Sequence, residues 1–275
     1  MKNFNGKAIY NPSGKAGEYS YWACNFYVGC SNGCEYCYCK KGILAGAMGQ
    51  DKPQLKKCFY DKYDALSVFE KEVTKNLEEV RKHGIFFSFT TDPMLPETKE
   101  LTIWAISYCI FREVPVKILT KCTDWIDSFF LSIRFEKFYP IETCVKFIAF
   151  GFTLTGHDEL EKGASTNIER IKAIRKLHEA GFKTWASIEP ILYFDSATRM
   201  IELSMEYCDL YKIGLMSGSK PNVEDLRSFV SHTNWYSTIK PGFKIYWKDS
   251  ISKFFTTSSW TDGCCVQRDF NIFNQ

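Results

Sequence analysis

Residues 29–40, GCSNGCEYCYCK, place four thiols within twelve positions, at Cys30, Cys34, Cys37 and Cys39. Thiols at this density bind soft metals, either zinc or an iron–sulfur cluster. Cys30, Cys34 and Cys37 form a C-x3-C-x2-C pattern, with Gly29 and Gly33 easing tight turns. A zinc ribbon would call for two C-x2-C pairs, and no second such pair follows downstream. Cys39 is separated from Cys37 by Tyr38 alone, unlike the spacings of all-cysteine zinc sites. Three thiolates on one loop fit a [4Fe–4S] cluster with one iron left for a small molecule. From the residues alone, two alternatives stay open: a zinc-stabilised binding module without catalysis, and an electron carrier whose cluster is closed by Cys39 or Cys24.

The elements that must position this loop come as short apolar runs alternating with helical patterns. YWACNFYV (21–28) reads as a buried strand leading into the loop. SVFEKEVTKNLEEVRKHG opens on a capping-box pattern, Ser67 and Glu70, and continues with Val73, Leu77 and Val80 at helical spacing up to Gly84. Strands are expected at 85–90, 116–119, 145–154, 183–191 and 210–216, and helices at 99–113, 124–138 and 195–207. A second capping box, Thr166 and Glu169, starts a helix with Ile168, Ile171, Ile174 and Leu177 on one face. About six β-then-α units imply parallel strands. An eight-fold barrel needs ~250 residues, and the first 60 and last 50 read as irregular. The expected fold is therefore α/β, a partial (β/α)6 TIM-like barrel with irregular amino- and carboxyl-terminal extensions. It forms one domain over 1–275, with a core at about 20–216 and 217–275 as a lid or substrate contact. Parallel α/β folds place chemistry at the carboxyl ends of their strands, where the cysteine loop falls.

The chain of 275 residues is 45% hydrophobic and 24% charged, enough to build a sizeable core. A net charge of +3, with only eight arginines among 35 cationic residues, gives little electrostatic footprint for nucleic acid. The first 15 residues lack an apolar core of signal-peptide length, and no run reaches transmembrane length. A soluble, cytoplasmic protein with no membrane partner is expected, its twelve cysteines reduced.

The C-x3-C-x2-C pattern after a first strand, with the aromatic Tyr36 before its last cysteine, resembles the radical S-adenosylmethionine superfamily. The resemblance implies that Cys30, Cys34 and Cys37 hold a [4Fe–4S] cluster whose open iron is chelated by the methionyl group of S-adenosylmethionine. It also implies an external electron donor of flavodoxin or ferredoxin type. Within the superfamily, YVGCSNGCEYCYCK, SFTTDPMLPETKE, ILTK and STNIERIKAIRKLHEAGFKTWASIEPI resemble the spore photoproduct lyase and DNA-repair-photolyase-like branch, over roughly 20–215. Position by position, this implies cosubstrate contacts from Tyr36, Thr90 and Asp92, and Lys121 near the methionyl carboxylate. It further implies Thr153 and Thr155 facing the ribose. Glu189 has no firm counterpart in the branch and is a candidate polar contact from its own position, since a carboxylate ending a buried strand needs a partner. Tyr38 is the tyrosine placed to relay a hydrogen atom. The branch implies a nucleic-acid substrate; a peptide or small molecule is the alternative. One departure stands out: Ser88-Phe89-Thr90-Thr91-Asp92 lacks the hydrogen-donating cysteine of the spore lyase, for which Cys122, Cys264 and Cys265 are the candidate substitutes. The lysine- and aromatic-rich tail reads as a packed lid or as a surface on which bases stack.

Overall fold

In the computed structural model, residues 3–134, 139–255 and 263–274 are described. Contacts divide the chain into two compact units, Met1–Ala149 with Glu159–Ser165, and Phe150–Asp158 with Thr166–Gln275.

The first unit contains β1 (Ile9–Tyr10), β2 (Trp22–Cys24), β3 (Tyr27–Val28), α1 (Ala45–Met48), β4 (Gln54–Leu55) and α2 (Lys62–Lys75). It continues with α3 (Leu77–His83), β5 (Ile85–Phe87), α4 (Lys99–Phe111), β6 (Val116–Thr120), α5 (Ile126–Arg134) and α6 (Ile141–Phe147). Its strands lie in the order β1-β2-β5-β6. The edge strand β1 is antiparallel to β2, and the others are parallel, with Ala23 beside Phe86 and Phe86 beside Lys117. The strand expected at 21–28 is broken in two. Buried Asn25 draws the chain out of the ladder: its Nδ2 donates to the Tyr10 hydroxyl at 2.8 Å, and its Oδ1 accepts from Phe89 N at 2.8 Å. Val28 and Tyr27 then pair with Gln54 and Leu55 in a separate antiparallel ribbon at the two ends of the cysteine loop. The Phe89 contact also ends β5 at Phe87, short of the expected residue 90.

Helix α2 corrects another expectation. It starts at Lys62 behind Asp61, whose side chain accepts from Asp64 N at 2.8 Å, so Ser67 and Glu70 lie inside the helix and cap nothing. Ala65, Phe69 and Val73 form its buried face. At Asn76 the helix breaks, α3 resumes, and Gly84 stops it at φ 70°. Residues 145–147 end α6, and the strand expected from 145 begins at Ile148 (β7, Ile148–Thr153). An unbroken apolar run does not by itself distinguish a buried helix from a buried strand. Of the helix expected at 124–138, residues 126–134 form α5, and 135–138 lie outside the described residues.

β7 leads the chain into the second unit, which holds α7 (Asn167–Glu179), β8 (Lys183–Ile191), α8 (Phe194–Ser204), β9 (Leu210–Leu215), α9 (Val223–Ile239), β10 (Ile245–Trp247) and α10 (Asp249–Ser252). Its strand order is β7-β8-β9-β10, and β8, β9 and β10 are parallel. The Thr166–Glu169 capping box is formed, with Ile171, Ile174 and Leu177 buried behind it. Ile168 is exposed, however, and polar Asn167 and Arg170 take the inner positions. Asn167 Oδ1 accepts from Thr155 N and Gly156 N, and Arg170 Nη1 donates to Thr153 O at 2.8 Å. The carboxyl-terminal stretch, expected to be irregular, contains a 17-residue helix and an added parallel strand. Asn222 caps that helix, and Leu226, Phe229, Val230 and Thr233 bury at helical spacing. The fold class is α/β with a mostly parallel sheet, as a partial TIM-like barrel requires.

Candidate functional site

The cysteine loop leaves β3 through Gly29, at φ 83°; a Cβ there would lie 2.5 Å from Lys52 O, so only glycine fits. Cys30 N donates to Gln50 O at 3.0 Å, and Cys37 N to Cys34 O at 3.3 Å. The other side of the loop rests on residues 159–165 of the same unit. Glu35 N donates to Leu160 O, and Gly163 N to Asn32 O, both at 3.0 Å. A Cβ on Gly163 would lie 2.2 Å from Ser31 O, so the two backbones meet directly.

Cys34 and Cys39 are buried, Cys30 and Cys37 half-buried, and all four are free thiols. Burial pushes Cys30 up to about 12 and also raises Cys34. The Cys39 thiol donates to Cys37, which lowers Cys37 and raises Cys39. Cys37 raises Cys34, and Cys30 raises Cys39, so these sulfurs lie within electrostatic reach of one another. Among the described residues no three His, Cys, Asp or Glu donors converge on a single ion position. A cluster does not call for that, since each thiolate binds its own iron. Three soft donors on one short loop fit an iron–sulfur group, whose positive irons would offset the burial cost of the thiolates that ligate it.

Asp92 lies buried after β5 and gathers the site. Its Oδ2 accepts from Asn32 Nδ2 at 2.8 Å and Lys121 N at 2.7 Å, and its Oδ1 from Thr120 Oγ1 at 2.6 Å and Met94 N at 3.0 Å. One carboxylate thus joins the cysteine loop to the ends of β5 and β6. Thr90 is buried and donates its hydroxyl to Tyr27 O. Lys121 Nζ lies 5.7 Å from the centre of the Tyr36 ring and 3.9 Å from Glu161 Oε1. The Tyr36 hydroxyl donates to that same carboxylate, and burial raises the phenol's pKa. Glu161 has a fully buried side chain and went unnoticed in the sequence. Nothing local distinguishes it from the solvated acids beside it in DELEK; its burial comes from the fold. Tyr38 is half exposed, and its hydroxyl donates to Phe89 O. Cys122 is buried, with its Sγ 3.5 Å from Asn32 Oδ1.

The structure therefore gathers Cys30, Cys34, Tyr36, Cys37, Tyr38, Thr90, Asp92 and Lys121 in the first unit. Thr153, Thr155 and Glu189 belong to the second. Thr153 and Thr155 are buried. Glu189 on β8 pairs with Lys248, which follows β10, and the pair reaches across β9. That crossing depends on Gly214, where a Cβ would meet Lys248 Cδ at 2.9 Å and Glu189 Oε1 at 3.0 Å.

No protein-family profile matches the chain. An uncharacterized protein of Methanocaldococcus jannaschii is 26% identical over 170 residues, 61% of this chain and 59% of that protein. Among solved structures, SuiB of Streptococcus suis bound to the precursor peptide SuiA is similar with a TM-score of 0.57 and 12% identity, over 84% of this chain and 50% of that one. SuiB bound to S-adenosylmethionine gives a TM-score of 0.54 at 14% identity, over 84% and 51%. The chain thus spans about half the length of SuiB and shares its fold over that span.

Proposed function

We propose that this chain is a radical S-adenosylmethionine enzyme, with Cys30, Cys34 and Cys37 holding a [4Fe–4S] cluster. The reading is carried by three thiols on one glycine-turned loop, at the end of a strand in a fold shared with a protein solved bound to S-adenosylmethionine. When bound, such a cluster supplies an electron from an external donor of flavodoxin or ferredoxin type, so that the sulfonium carbon–sulfur bond of S-adenosylmethionine breaks and yields a hydrogen-abstracting 5′-deoxyadenosyl radical. Asp92 acts as a positioning residue, since both its oxygens are committed to protein donors. Lys121 supplies the ammonium that receives a carboxylate beside the loop, steadied by Glu161 and Tyr36. Thr90 fixes the turn below the loop. Tyr38, half exposed, is the side chain placed to relay a hydrogen atom.

For the substrate we favour a peptide, because the structural neighbour was solved bound to one and arginine is scarce. Nucleic acid is the second reading, supported by the motifs shared with the spore photoproduct lyase branch. The test is anaerobic reconstitution followed by dithionite and S-adenosylmethionine. Expected are about four irons per chain and 5′-deoxyadenosine well above a Cys30→Ala control. Product no higher than that control, or zinc in place of iron, would sink the reading.

A further inference from the structure

Cys264 and Cys265 lie in the second unit and have no part in the function proposed above. Adjacent residues in an extended segment point their side chains to opposite faces. This segment is laid along β10: Ile245 N donates to Cys264 O, and Val266 N to Ile245 O, both at 2.8 Å. Even so, the two sulfurs are 3.7 Å apart. Gly263, at φ 99°, turns the chain just before the pair, and both thiols come to one side. Cys264 is buried and Cys265 half-buried. Cys265 Sγ lies 3.8 Å from Asn234 Oδ1, which also accepts from Trp247 Nε1 at 3.2 Å. Asn234 lines a cavity of about 440 Å³ on α9, together with Arg227, Ser231, Trp235 and Phe255. That volume lies in the range of small-molecule sites. Its arginine and indole suit a small peptidic disulfide carrying carboxylates.

We infer that Cys264 and Cys265 form a redox-active dithiol, which low-molecular-weight disulfides convert to a labile vicinal disulfide. Cys265, the more accessible, attacks the incoming disulfide as its thiolate and releases one small thiol. Cys264 then attacks the Cys265 sulfur and releases the second. The protein loses two electrons and two protons, and the small disulfide is reduced to two thiols. Neighbouring Cα atoms are 3.80 Å apart across a trans peptide, below the ~4.4–6.8 Å usual for disulfides. The ring is therefore strained, and ordinary thiols reopen it. Strain of this kind belongs to regulatory bonds rather than structural ones.

The test exposes the full chain to oxidised glutathione, raised until the exposed Cys58 is modified. Acid quenching, alkylation with iodoacetamide and peptide mass mapping follow. The expected wild-type peptide over 264–265 has lost two hydrogens, carries no alkyl group, and recovers both alkylation sites after dithiothreitol. Cys264→Ser should instead accumulate the glutathione adduct on Cys265, at least tenfold above wild type. Two alkyl groups on the wild-type peptide while Cys58 is modified would overturn the inference. So would a wild-type reaction that stops at the adduct. Neither result depends on iron loading or on S-adenosylmethionine cleavage, so this inference and the proposed function fail separately.

Discussion

Replacing Asp92 by Asn changes one atom at the point where three loops meet. Each carboxylate oxygen accepts two hydrogen bonds, Oδ1 from Thr120 and Met94 and Oδ2 from Asn32 and Lys121 N. Whichever oxygen becomes NH2, two donors face a third, and the two bonds there are lost. Hydrogen bonds to a charged group contribute about 1.5–3 kcal/mol each, so Asp92→Asn should cost about 3–6 kcal/mol. Thr120→Val deletes one donor, leaves the carboxylate three, and takes the acceptor from Cys122 N, for a loss of about 2–4 kcal/mol. Urea denaturation of the metal-free protein reads these energies, and hydrogen exchange should show faster amides at 29–40 and 120–122 in Asp92→Asn. If that variant stays within about 1 kcal/mol of wild type and exchange there is unchanged, the carboxylate does not organise the loop.

Burial lowers the ammonium of Lys117, on β6, to about 8, against an unfolded value near 10.4. Below pH 8 the folded chain must hold this charge half-buried; the penalty fades as pH climbs from 8 towards 10.4, where only the unfolded chain still binds the proton. Lys117→Met should therefore stabilise by about 1–2 kcal/mol at pH 7, after discounting for partial exposure; a gain that stays constant to pH 10.5 would count against this account. Glu189→Ala takes the carboxylate from Lys248, whose side chain is 1% exposed, and should cost about 3–5 kcal/mol in urea denaturation. Gly214→Ala forces the same pair apart sterically, for about 1–3 kcal/mol; wild-type midpoints in both variants would show that the pair is idle.

What could be read from the sequence was local. The Thr166–Glu169 cap and the run 183–191 depend on a few neighbouring residues, and they fold as the pattern indicates. Ser67–Glu70 misled because the same pattern also occurs inside a helix that Asp61 has already started. Asn25 divides a strand-like run through partners at Tyr10 and Phe89, 15 and 64 residues away. Asp92 looked like a ligand contact, and only the structure reveals that four protein donors occupy it. Helix α9 was missed because its polar residues thin the apolar stripe, while Asn222, its cap, carries little weight without the fold.

The clamp on the cysteine loop comes late in the chain. Tyr36 meets Glu161 across 125 residues of sequence, and Asn32 waits for Gly163. A ribosome making this protein therefore finishes the four cysteines long before it makes the segment that braces them. Until residue 165 is free of the exit tunnel, the loop has its own turns, the β3–β4 ribbon and its contacts with Phe89 and Asp92, but lacks the side supplied by residues 159–165. Under the proposed function, a cluster delivered in that interval would meet a loop braced on one side alone; the fully clamped form becomes available only after more than half the chain has been translated.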